Sequence, residues 1–301
     1  MTETTATTSR RPLATFRLTR QVALAWIVVA VVGFFAFAYA FGHVLAAFRG
    51  VPLEPIVLGP SPPPAAAAWG LVSLALVALV VVAHEWLHGL FMARYGGSPT
   101  FGVGSSYFLF PYAYAETEVT SYTRTEMLVV LLAPFVGITS GGLVLLAVYP
   151  SPILVVALAA NAAGSIGDLW MAAALLQYPR DVRVAGLPDE AAQGFAVYGP
   201  ATSETPRVER PGQPVLSSVV VGTVGTFALL ASGLLVGVLG SLAFGSGTVF
   251  VGEGSWLLFR HERQSDGSVH LELGATLVLV LSMAGGVLWA GLQRVRGTLE
   301  P

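Results

Sequence analysis

Long apolar runs separated by short polar segments dominate this chain. Six stretches are apolar over the ~20 residues that a helix needs to cross a bilayer. They run from about Val22 to Phe48, Ala66 to Arg94, Thr125 to Tyr149, Pro152 to Tyr178, Val215 to Phe244 and Gly274 to Gln293. The pattern predicts an all-α polytopic membrane protein of about six transmembrane helices, residues 21–300, behind a polar tail, residues 1–20. That tail carries Arg10, Arg11, Arg17 and Arg20. The apolar run behind it is too long for a signal-peptide core, so it reads as a retained first helix.

Three connections carry more than loop composition. Ser98 to Tyr122 is rich in Gly, Tyr and Phe, and its segments Thr100-Phe101-Gly102-Val103-Gly104 and Tyr107-Phe108-Leu109-Phe110 suit extended strands. A small membrane-associated β segment is therefore expected after the second helix. Pro179 to Pro214 is the longest polar stretch. Residues 246–273 read as an external β-hairpin: Thr248 to Val251, then Trp256 to Phe259, a turn at Ser265-Asp266-Gly267, and Val269 to Leu271.

Composition agrees with the spans. Of 301 residues, 54% are hydrophobic and 11% charged, against roughly 25% charged in soluble domains. Mean hydropathy is +0.73. The net charge of −2 gives no basis for nucleic-acid binding. The basic residues are all arginines, and they orient the chain. With the N-terminus inside, only Arg49, Arg260 and Arg263 fall outside. Both termini are thus expected in the cytoplasm. Cysteine is absent, which excludes disulfides and thiolate ligands.

The chemistry lies late in the second span, at His84-Glu85-Trp86-Leu87-His88. On a helix, positions i and i+4 share a face, so both imidazoles can turn to one metal ion. Glu85 projects close to that face and can polarise a water on the metal. The pattern points to a zinc hydrolase site, roughly 24 Å from the outer surface of a ~30 Å core and so in the cytoplasmic half of the bilayer. Such a site needs a third ligand. The fourth span offers Asn161, Gly164 or Ser165, and Asp168 on one helical face. An aspartate at this depth requires a cation, a metal or a proton as partner. No arginine falls within a span, so Asp168 is the preferred third ligand. Asn161 is placed to bond a substrate carbonyl or a developing oxyanion, and the Asn161/Ser165 face to line a water route. Glu116, Glu118, Glu126 and Asp189 are alternative ligands near span ends or in loops, where an acid needs no special explanation. His43 is lone, and His261 and His270 lie in the external hairpin. Gly137, Gly141 and Gly142 suit close helix contacts rather than chemistry.

These residues resemble the family named Putative zincin peptidase, membrane proteins similar to site-2 intramembrane metalloproteases. The matching parts are His84-Glu85-Trp86-Leu87-His88-Gly89, Leu132-Ala133-Pro134-Phe135, Asn161 with Gly167-Asp168, and Gly194-Phe195-Ala196-Val197-Tyr198. The resemblance spans residues 66–198. It implies a zincin-like core with His84, His88 and Asp168 as zinc ligands and Glu85 as catalytic acid/base. It also implies that the segment after the motif helix forms a sheet that holds substrate. The chain departs from the site-2 pattern at Gly164, where a proline is usual, and in the residues flanking the acid.

The function expected is zinc-dependent hydrolysis of peptide bonds in membrane or membrane-adjacent proteins, with the lipid bilayer as surroundings. A non-catalytic metal-binding scaffold is the alternative. A metal or proton transporter would need a file of polar residues continuing across the membrane, and none is seen.

Overall fold

The computed structural model describes residues 11–17, 19–51, 56–58, 63–105, 111–117, 121–187, 194–199, 213–244 and 248–299. Six helices or helix pairs in it are long and apolar enough to cross a membrane, in line with the six runs of the hydrophobic pattern. The helices are α1 (Arg20–Arg49), α2 (Pro63–Arg94), α3 (Arg124–Val148), α4 (Pro152–Gly164), α5 (Ile166–Leu175), α6 (Gln213–Phe244) and α7 (Ala275–Leu299). Leu, Val and Phe side chains are exposed along these helices.

Two compact units divide the chain, residues 1–51 with 70–208 and residues 52–69 with 209–301. In the first, α1, α3 and α4 meet around Leu45, Leu146 and Leu158. Gly142 makes that contact possible, because a β-carbon there would stand 2.5 Å from Leu158 Cδ2. Gly137 faces Leu87 of the motif helix, whereas Gly141 faces open space. The fourth span is two helices rather than one. The chain breaks at Ser165, whose hydroxyl donates to the Asn161 carbonyl at 2.8 Å, a back-bond that loosens and bends helices.

The polar connections build a four-stranded antiparallel sheet that the hydrophobic pattern did not reveal. Its order is β1 (Arg11–Arg17), β7 (Gly194–Gly199), β6 (Arg183–Gly186), β5 (Tyr122–Thr123). The stretch read as a plain tail is thus an edge strand, with Pro12 beside the register shift that an edge tolerates. Leu175, Val182, Val184, Phe195 and Val197 form the core beneath this sheet, with Met127 and Met171 from the helix ends. Gly194 has φ +142, and a β-carbon there would lie 1.9 Å from the Phe16 carbonyl oxygen, so only glycine lets β1 close on β7. Glu126, weighed as a ligand, instead closes a capping box with Thr123 at the start of α3.

β3 (Pro99–Ser105) and β4 (Pro111–Thr117) form a separate two-stranded ribbon, which realises the β segment expected after the second helix. Tyr107 to Phe110, Glu118 and Asp189 lie outside the described residues.

In the second unit, α6 and α7 pack on glycine and threonine. A β-carbon on Gly286 would stand 2.6 Å from the Val219 carbonyl oxygen and 3.0 Å from the Thr223 nitrogen, both of them backbone atoms. Gly286→Ala is therefore expected to destabilise this pair by about 1–3 kcal/mol through overpacking. Thermal unfolding in detergent tests it, with Gly291→Ala, at a position facing open space, as the control that leaves stability unchanged.

The segment read as an external hairpin is a meander rather than a simple hairpin. β8 (Thr248–Val251), β9 (Phe259–Arg263) and β10 (Val269–Leu273) are joined by β2 (Ile56–Leu58), in the order β2-β10-β9-β8. Trp256 sits in a 3-10 turn instead of a strand. Phe259, Val269 and Leu271 pack against Leu234, Val238 and Leu242 of α6. The expected turn is present. Asp266 Oδ1 accepts from the Ser268 backbone N–H at 2.9 Å and from its hydroxyl at 2.7 Å. These bonds, the hydroxyl first, hold the Asp266 carboxyl below the ordinary value. A depressed value in the folded state means stability that is complete above the ordinary carboxylate range and lost as pH falls through the depressed one. Exchange-protection of the β9–β10 amides, corrected for intrinsic rates, is expected to fall across that acid window in the wild type. Asp266→Asn should flatten the fall.

Candidate metal centre

Helix α2 brings the two histidines together as their i, i+4 spacing predicts. His84 and His88 are each 8% exposed, and their Nε2 atoms face each other at 3.2 Å. Asp168 enters from the first turn of α5. Its Oδ2 lies 3.1 Å from His84 Nε2 and 3.4 Å from His88 Nε2. Among the described residues, these three form the candidate metal-binding group.

The outer nitrogens of both rings are already engaged. His88 Nδ1 lies 2.8 Å from the Val130 carbonyl oxygen, which can only accept, so this nitrogen carries the proton. His84 Nδ1 lies 3.2 Å from Asn161 Oδ1. The amide of Asn161 is oriented from its other end, where Nδ2 donates to the Pro134 carbonyl at 3.4 Å and to Thr139 Oγ1 at 3.3 Å. Its oxygen therefore faces His84, and His84 Nδ1 is also a donor. With both rings neutral, their Nε2 atoms are then left with lone pairs, directed at each other and at a carboxylate oxygen.

Three electron-rich atoms at 3.1–3.4 Å repel one another unless a cation lies among them. This arrangement tests whether a metal fits. Ligands 2.0–2.1 Å from a tetrahedral zinc stand about 3.3–3.4 Å apart, close to the three separations present. The donor set of two imidazoles and one carboxylate suits zinc and leaves a fourth position for water. Each histidine also has the outer hydrogen bond that metal-ligating imidazoles almost always make.

Asn161 occupies a different position from the one its sequence context suggests. It is 1% exposed, and its carboxamide is committed to His84, Pro134 and Thr139 rather than open to a substrate. Ser165 is wholly buried, and its hydroxyl is bonded to the Asn161 carbonyl. Glu85, beside His84, is half-buried. The ring of Phe101 on β3 lies against Gly89, next to His88, and a β-carbon on Gly89 would be 2.3 Å from it. Through this ring the ribbon touches the motif helix. On the far side of Asp168, Gly167 takes the ring of Trp26 from α1, 3.1 Å from where a β-carbon would stand. The contribution of Val130 and Pro134 has no side-chain signature. Only the position of Pro134 within an apolar run hints at it.

Residues 77–183 match the family model described as Putative zincin peptidase. The matched stretch, a little over a third of the chain, contains His84, Glu85, His88, Asn161 and Asp168 but not the strand Gly194–Gly199. A match to this family points to a metallopeptidase. Comparison with curated proteins and with solved structures gave no match.

Proposed function

We propose that this protein is a zinc-dependent intramembrane metallopeptidase that hydrolyses peptide bonds of membrane or membrane-adjacent proteins. The observation that carries the reading is the convergence of the His84, His88 and Asp168 lone pairs, 3.1–3.4 Å apart, on helices apolar enough to cross a membrane. Ionisable residues at such depth are costly and as a rule functional.

When bound, zinc supplies Lewis acidity toward a carbonyl oxygen and lowers the pKa of water. Glu85 takes the proton of the attacking water on its carboxylate and passes it to the leaving amine. Asp168 balances part of the cation charge in a water-poor site. Asn161 and the Val130 carbonyl keep the imidazoles in the ligating tautomer, so the role given to Asn161 is positioning rather than contact with substrate. The β3–β4 ribbon, seated beside His88 through Phe101, offers an edge on which an unwound substrate segment pairs as an added strand. The arginine distribution supports a reading with both termini in the cytoplasm, which sets the metal site in the cytoplasmic half of the bilayer.

The test combines elemental analysis of the purified protein with peptide-bond cleavage of a transmembrane substrate in vesicles. Zinc-dependent cleavage that is lost in Glu85→Gln supports the reading. Protein that takes up no zinc overturns it.

A further inference from the structure

Pro134 lies inside α3 and is wholly buried, although a helix interior tolerates proline least of all residues. Proline has no N–H, so Val130, four residues earlier, lacks the donor that a regular helix would give its carbonyl. Val130 is 0% exposed, and a buried carbonyl is almost always paired. The donor it has is His88 Nδ1, at 2.8 Å. The same proline presents its own carbonyl to Asn161 Nδ2, and Asn161 Oδ1 accepts from His84 Nδ1. Both imidazoles are thus oriented from one turn of one helix.

We propose that Pro134 is a positioning residue of the metal site. Its missing N–H releases the Val130 carbonyl to His88, and its own carbonyl anchors the amide that holds His84. The inference rests on the metal reading above and deepens it. An alanine at 134 would bring an N–H that competes for the Val130 carbonyl. His88 would then lose the acceptor that keeps its proton on Nδ1, and a ring protonated on Nε2 cannot ligate.

The signs of two measurements separate this role from a merely structural one. Alanine is the better helix former, so the melting temperature of metal-free Pro134→Ala is expected to equal or exceed that of the wild type. Zinc affinity, from competition with a chromophoric chelator in detergent, is expected to fall 10–100-fold, and Asn161→Ala should fall similarly. Equal zinc affinity in Pro134→Ala and wild type overturns the inference while leaving the metal reading intact. A wild type that binds no zinc overturns the metal reading itself. A third measurement needs no variant. Nitrogen-15 spectra of zinc-loaded wild type should show His88 protonated on Nδ1 and coupled through its hydrogen bond to a labelled valine carbonyl. A spectrum with the His88 proton on Nε2 also overturns the inference.

Discussion

Purified wild-type protein is expected to carry about one zinc per chain, and His84→Ala and Asp168→Ala next to none. Each variant removes one of the three candidate donors found among the described residues. The loss should exceed the 10–100-fold that follows from disturbing an outer hydrogen bond. The two variants differ in what they leave behind. His84→Ala keeps the Asp168 charge with one imidazole to answer it. Asp168→Ala keeps two neutral imidazoles, whose Nε2 atoms stand 3.2 Å apart with no anion to hold a divalent cation in apolar surroundings. Asp168→Asn, similar in shape but uncharged, should therefore behave like Asp168→Ala. Elemental mass spectrometry on detergent-purified protein, after zinc is added back, makes the comparison. Zinc retained in Asp168→Ala at the wild-type ratio would move the third ligand elsewhere. Glu116 would be tested next, since Glu126 is committed to the cap of α3.

The second large effect concerns Glu85. Glu85→Gln preserves size and donates or accepts hydrogen bonds, yet it cannot take a proton from water. Removal of a positioned general base costs about 10²–10⁴ in rate. The variant is expected to lose cleavage by that factor while keeping the wild-type zinc content, because Glu85 is not among the three donors. This separation of metal from turnover distinguishes a peptidase from a metal-binding scaffold. A scaffold would lose its function with His84→Ala and keep it with Glu85→Gln. Unchanged cleavage by Glu85→Gln would sink the acid/base assignment.

Much of the architecture follows from local chemistry and was readable along the chain. Twenty apolar residues without charge have few alternatives to a long helix, so all six long apolar helical stretches were anticipated to within a few residues. The turn at Ser265-Asp266-Gly267 was equally local, since Asp266 bonds two residues ahead and Gly267 takes φ +83. The sheet joining β1 to β7 was not readable. Its strands lie far apart in sequence, and β1 carries two arginines and a proline that mask its alternation. Trp256 to Phe259 was taken as a strand on residue type alone, but Trp256 closes a 3-10 turn and the strand begins at Phe259. The break at Ser165 was hidden because hydropathy does not register a hydroxyl that bonds its own backbone.

The candidate site divides in the same way. By itself the sequence determined that His84 and His88 share a helical face, because their spacing is one turn, and that Asp168 needs a partner, because a charge in an apolar span is too costly to stand alone. It could not say which partner, since that depends on how three helices pack. The tertiary structure decided that Asp168 Oδ2 meets both Nε2 atoms. It turned Asn161 onto His84 rather than outward, and it set a carbonyl freed by Pro134 against His88. Backbone carbonyls are common to every residue, so no residue letter distinguishes the one that orients an imidazole. Only packing α2 against α3 and α4 selects it.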